Sequence, residues 1–201
     1  MNIIEIFTKS FFLIISFDND LWEIIILSLY VSIFALIVAS IFGLLIGYYI
    51  ALKNFPFKSF ILIVLNSLMG IPPVVVGLIV YFLFASGGPL GVLQLLYTPT
   101  AMIIAQVIII FPIVTSISHE IFDQNWREYK DQLRSINMPF FGVAFIITKH
   151  SYFLVITALL SAFGRAISEV GAVMIVGGNI DHFTRVMTTA ISLETRMGNL
   201  E

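Results

Sequence analysis

From Ser59 to Ser118 the chain carries no Asp, Glu, Lys, Arg or His, and the run from Ile24 to Leu52 is equally free of charge. A helix crosses the hydrocarbon core of a bilayer with about 20 consecutive apolar residues. The longer run therefore holds two spans and the shorter one holds one. With hydrophobic residues at 59% and charged residues at 11%, no soluble domain accounts for this composition. The chain reads as an all-α, polytopic transmembrane helical bundle embedded in the lipid bilayer.

The 201 residues leave room for four or five spans joined by short loops, and hence for one membrane domain over residues 21–201. Residues 1–20 stand apart. Their apolar positions Ile3, Ile4, Phe7, Phe11, Ile14 and Ile15 recur at helical spacing, whereas Glu5 and Lys9 interrupt the run. No basic start and no small-residue cleavage site marks a secretion signal. An N-terminal helix lying in the interface suits this pattern, with a short first span as the alternative. The absence of cysteine removes disulfides and thiolate metal sites. His119, His150 and His182 lie in three different segments, so no metal site is expected.

Segment A extends from about Trp22 to Leu52, segment B from about Ser59 to Ala85, segment C from about Thr100 to Ser118 and segment D from about Tyr152 to Val176. Basic loops remain in the cytoplasm. Lys53 and Lys58 mark the A–B connection and Arg127, Lys130, Arg134 and Lys149 the C–D connection, whereas the B–C connection SGGPLGVLQLLYTPT is uncharged. The amino terminus and the B–C loop are therefore expected outside.

Segment A repeats small residues at every fourth position, Ala35, Ala39, Gly43, Gly47 and Ala51. Such a stripe lets another helix backbone approach closely, which is how helices associate in lipid. In segment B, Gly70-Ile71-Pro72-Pro73 precedes Gly77. Two successive prolines remove two backbone donors and obstruct the preceding turn. Backbone groups freed at membrane depth need protein or a water-filled cavity to satisfy them, so the break points either to a transport pathway or to a kink for packing.

The C–D connection, about residues 119–151, reads as helical. Phe122, Trp126, Tyr129, Leu133 and Ile136 form an amphipathic stripe, while Asp123, Arg127 and Asp131 stand four apart on another face. Asn137 suits the left-handed conformation that ends a helix, and Pro139 prevents continuation. A charged amphipathic helix of this kind is expected to be a docking surface, the alternative being a helix lying on the lipid headgroups, which its near-balanced charge disfavours.

Here the sequence resembles the permease subunits of bacterial ABC importers, specifically the oxyanion group that moves molybdate and tungstate. DQLRSIN, Asp131 to Asn137, resembles the cytoplasmic coupling loop whose core reads E-A-A-x-x-x-G. Asp131 stands for the Glu, Gln132 and Leu133 for the alanines and Asn137 for the Gly, while Lys149 and His150 replace a later leucine–proline. LMGIPPVVVGL followed by SGGPLG resembles the second-span signature, and FGRAISEVGAVMIVGGNI followed by TRVMTTAISLET is similar to the tungstate branch. The resemblance implies that Asp131, with Arg127, Arg134 and Asn137 around it, contacts a separate ATP-binding subunit on the cytoplasmic side. It also implies a homodimer, an extracytoplasmic oxyanion-binding protein and a bacterial inner-membrane location. No cofactor is expected on this chain, because ATP and Mg would reside on the ATPase subunit. No nucleic-acid partner is expected.

Arg165 and Glu169 fall deep in segment D, where an unpaired charge costs about 2.5–3.5 kcal/mol at a helix centre. Four apart on a helix, they either neutralise each other as a packing ion pair or leave Arg165 to offer positive potential to an anion pathway. The Gly177-Gly178-Asn179 turn permits a tight reversal, after which the family places an external reentrant segment. Thr184 to Met197 is too short and polar to span. The resemblance implies one further span, so the sequence ending at Glu201 reads as short of a complete permease.

No G-x-x-x-x-G-K-[ST] loop is present and no nucleophile–base pair stands out, so the chain itself is expected to be non-enzymatic, and the resemblance implies the permease of an ATP-driven tungstate importer. Pro72, Pro73, Gly77, Arg165 and Glu169 are its candidate pathway residues. The alternatives are molybdate or another oxyanion as cargo, or an ion-coupled transporter using Glu169 as a proton relay.

Overall fold

A computed structural model describes Thr8 and residues 12–198, apart from the side chains of Arg134, Phe140 and Phe141. The expected interfacial helix therefore lies largely outside the described residues. Every regular element among the described residues is helical. In chain order these are α1 (Asn19–Leu52), α2 (Lys58–Met69), α3 (Pro73–Phe84), a short 3-10 turn (Gly91–Leu93), α4 (Pro99–Ser135), α5 (Phe140–His150), α6 (Tyr152–Ile167), α7 (Gly171–Gly177) and α8 (Met187–Met197).

Local chemistry sets the main boundaries. Asp18 precedes α1 and its Oδ1 accepts the Leu21 N–H at 3.0 Å, satisfying one of the donors that a helix start leaves open. Pro72 and Pro73 cannot donate to the carbonyls of Leu68 and Met69, and the Ile71 N–H turns back to the Leu68 carbonyl at 3.3 Å. Segment B accordingly breaks into α2 and α3, with Pro73 at the first helical position that suits its fixed φ. Asn137 adopts φ 48°, the left-handed conformation expected of it, and Pro139 precedes α5.

The structure redraws segments C and D. Segment C does not end at Ser118: it continues into the amphipathic stripe as one helix of 37 residues, with Pro112 inside it. Residues 140–150, read as connection, form α5, which is bent by 77° from α6. Segment D is not one helix to Val176. It ends at Ile167, Ser168–Val170 leave the helix, and α7 adds a separate element of 7 residues. Among the described residues two helices, α1 and α4, are each long and apolar enough to cross a membrane, and the number reaches four if each bent pair is one span.

Two compact units emerge. Unit 1 takes the chain through Phe34, then Pro73–Gln106, then Ile167 onward; unit 2 takes Ala35–Pro72 and Val107–Ala166. In unit 1, Val31, Met102, Val173 and Val186 belong to one buried cluster. Here α3 and α7 approach backbone to backbone, since a Cβ on Gly77 would stand 2.6 Å from the Ala172 Cα. In unit 2, Tyr48, Phe122, Leu133, Ile147 and Val155 belong to one buried cluster. The small stripe of segment A is buried along its whole length and meets α4: a Cβ on Gly47 would lie 2.8 Å from the Thr115 carbonyl and collide with Ser118 Oγ. Large apolar side chains of α1 such as Ile26, Phe34, Phe42 and Leu45 remain exposed, as a lipid-facing surface requires.

Candidate functional site

In unit 2 the end of α4, the turn at Asn137 and α5 form one surface. The stripe divides by depth. Phe122 and Leu133 are buried in the core, Trp126 and Tyr129 pack against it, and Ile136 is exposed. The Tyr129 hydroxyl stands 2.9 Å from Nε2 of His150, joining α4 to α5. With the apolar face turned inward, the opposite face is left to solvent. Arg127 is 77% exposed, and Asp131 and Asn137 are exposed as well. The Arg134 side chain lies outside the described residues. Arg127, Asp131 and Asn137 are thus each accessible along the last turns of α4 and the turn that follows it, where a partner can reach them.

Asp123 anchors that surface to its own unit. Its Oδ2 lies 2.7 Å from Arg127 and its Oδ1 lies 3.6 Å from Lys58, which begins α2. The first contact follows from four-residue spacing. The second joins residues far apart in sequence and has no sequence signal. Asn66, Ser116, His119, Glu120, Asp123 and Arg127 line an open cleft of about 500 Å³. Two atoms on its wall, Ser116 Oγ and His119 Nε2, are buried without a hydrogen-bond partner among the described residues.

In unit 1 the expected helical relation of Glu169 to Arg165 does not hold, because α6 ends between them. Arg165 is half-buried on the last turn of α6 in unit 2. Glu169 belongs to unit 1 and is 5% exposed. Its Oε1 accepts the Ala172 N–H at 3.1 Å, capping α7, and its carbonyl accepts the Thr188 hydroxyl at 2.7 Å. A carboxylate suits this position because the first N–H groups of a helix lack internal partners. The polar wall continues with Ser28, Ser32 and Gln106 around a cavity of about 10 Å³. That is room for about one water, not for a tetrahedral oxyanion.

Beyond α7 the chain reverses at Gly178, with φ 74°, and Asn179, with φ 51°. Thr184 holds the reversal: its hydroxyl donates to the Gly177 carbonyl at 2.6 Å and accepts the Ile180 N–H at 2.9 Å. His182 Nδ1 lies 2.9 Å from Glu23, and Asp181 pairs with Arg185 at 2.7 Å. Hydrogen bonding to the Glu23 carboxylate, then the charge of Asp181, raises the His182 pKa above the ordinary histidine value. The remaining sequence candidates sit at the proline break, Pro72 exposed and Pro73 half-exposed, while Gly77 is buried where α3 meets α7.

Comparison with known proteins gives this arrangement a context. The sequence family described as Binding-protein-dependent transport system inner membrane component matches residues 39–199. The chain is 39% identical to the tungstate uptake system permease protein TupB of Peptoclostridium acidaminophilum, over 98% of this chain and 86% of that protein. It is 40% identical to a probable anion ABC transporter permease protein of Haloferax volcanii, over 87% of this chain and 77% of that one. A second TupB, from Campylobacter jejuni, is 33% identical over 96% of this chain and 80% of its own length.

Proposed function

The chain belongs to the family of binding-protein-dependent transport system inner membrane components, and from that premise we propose that it is the permease of an ATP-driven importer for tungstate. One observation carries the choice of cargo: the 39% identity to a tungstate uptake permease extends over 98% of this chain. The chain is an integral membrane protein, as its family and its long apolar helices require. The ion-coupled alternative is not favoured, because the relatives named above are permease proteins of uptake and ABC systems.

The finer assignments follow from the site. The α4–α5 end faces the cytoplasm, which puts the amino terminus outside, in keeping with the basic A–B and C–D connections. There Asp131, Arg127, Arg134 and Asn137 meet an ATPase subunit that carries ATP and Mg; the exposed charge of Arg127 and Asp131 beside a left-handed turn supports this reading. A binding protein delivers the cargo outside, and two copies of the chain enclose the pathway. Pro72, Pro73, Gly77, Arg165 and Glu169 are its candidate lining and hinge positions. Gly77 contributes by letting α3 and α7 approach, and Glu169 by holding the start of α7.

Cellular tungsten and molybdenum, measured by mass spectrometry at nanomolar supply with and without the gene, test the proposal. Selective loss of tungsten is the expected result. Loss of molybdenum alone moves the cargo and keeps the mechanism, whereas no change in either metal overturns the oxyanion assignment.

A further inference from the structure

The A–B connection holds a contact that the family comparison does not describe. Lys58 is the first residue of α2, the end of a helix where a cation is unfavourable because the macrodipole is positive there. Its ammonium points elsewhere. Nζ lies 3.4 Å from the Ala51 carbonyl and 3.6 Å from Asp123 Oδ1. Ala51 sits in the last turn of α1, where carbonyls lack internal partners and a cation is favoured. One side chain therefore joins three helices of unit 2: α2 through its own backbone, the carboxyl end of α1 and the surface end of α4.

The contact is sheltered. The Lys58 and Asp123 side chains are 20% and 18% exposed, whereas Arg127, the other partner of Asp123, is 77% exposed. Charges removed from water feel one another more strongly than surface charges do. Asp131 follows Asp123 by two turns of the same helix, roughly 12 Å at 1.5 Å per residue. A shift of the Arg127–Asn137 surface must carry Asp123 with it, and Asp123 holds the lysine that ties α1 to α2.

We propose that Lys58, through its contacts with Asp123 and the Ala51 carbonyl, is a positioning residue that passes motion of the α4 surface to the α1–α2 connection. This rests on the proposed coupling of that surface to an ATPase subunit. Loss of Lys58 does not strip Asp123 of its partners, since Arg127 remains, so the effect falls on coupling and not on folding.

The test reconstitutes the permease with its ATPase and binding protein in vesicles and reads tungstate taken up per ATP hydrolysed. Lys58→Met is expected to assemble and hydrolyse ATP while the ratio falls about tenfold, within the range of measured coupling between sites. Lys58→Arg restores most of the ratio. Asp123→Asn lowers it, and the double variant falls by less than the product of the two single losses, because both lose the Lys58–Asp123 contact although Asp123→Asn also weakens the pair with Arg127. An unchanged ratio in Lys58→Met overturns the inference, as does additivity in the double variant. Failure of Lys58→Met to assemble, or of Lys58→Arg to do better than Met, makes the lysine structural only. Wild-type uptake that ignores ATP overturns the proposed function together with the inference.

Discussion

Unit 2 and unit 1 solve the same problem, burial of backbone among apolar surroundings, by different means. In unit 2 long regular helices satisfy their own N–H and C=O groups, so they can pack through bare surface. Gly43 and Gly47 let α1 close on Val114, Thr115 and Ser118 of α4. In unit 1 the chain breaks, reverses and restarts. Around α7 and α8 polar side chains meet the irregular backbone: Thr184 on the Gly177 carbonyl, Ser28 on the Met187 N–H at 2.8 Å, and Glu169 on the Ala172 N–H. Irregular backbone at membrane depth persists only where protein or water satisfies it. Bare glycine surface thus carries the α1–α4 contact of unit 2, whereas the reversal and restart around α7 in unit 1 rest on polar side chains, even though Gly77 also lets α3 approach α7 there.

The largest expected effect breaks the first half of that contrast. Gly47→Val places a branched side chain against the Thr115 carbonyl and Ser118. It should cost about 3 kcal/mol, the upper part of the overpacking range, or prevent folding. Thermal unfolding in detergent reads this, and Gly164→Ala, with nothing within 4 Å of its added Cβ, serves as the matched control. An equal, small shift in both would show that the stripe is not a close contact.

The second half is tested by Thr184→Val, which keeps the shape and deletes the hydroxyl. It leaves the Ile180 N–H and the Gly177 carbonyl without that partner. The expected loss is about 2 kcal/mol, typical of unsatisfied buried groups. Hydrogen exchange should rise at the 177–186 reversal while the α1–α4 contact in unit 2 stays protected. Uniform loosening of both would erase the distinction between the units.

The smallest effect concerns the exposed edge of unit 1. The His182 pKa is raised by its hydrogen bond to Glu23, then by the charges of Asp181 and Asp20. A raised folded-state value means that the contribution is complete below the ordinary histidine pKa and is lost as pH rises through the folded value. The melting temperature of wild type should therefore fall slightly relative to His182→Gln between about pH 6 and 8, a window set by the ordinary histidine pKa and its upward shift. Parallel pH profiles for the two proteins would show that the pair contributes nothing.

Much of unit 2 was legible in advance because its determinants are periodic and local. Small residues at every fourth position of segment A, the stripe from Phe122 to Leu133, and Asn137 before Pro139 each carry their own structural consequence. The exposed positions of Arg127, Asp131 and Asn137 follow from the inward turn of that stripe. Unit 1 was less legible. Segment D looked like one helix because Ser168-Glu169-Val170 contains no glycine or proline to announce a break. What holds the break open is Thr188 on the Glu169 carbonyl, supplied from α8, and no helical period encodes that contact.

The sequence by itself determined that this chain is a helical membrane protein, where α1 ends, where the amphipathic stripe of α4 stops, and which face of α1 would be bare. Those properties depend on residues within a few turns of one another and on the cost of charge in lipid. Only the tertiary structure decided that Glu169 would cap α7 instead of continuing the α6 helix from Arg165, and that Lys58 would reach Asp123. The reason is the same in both: a polar group removed from water takes the partner that folding brings near, and that partner need not be close in sequence.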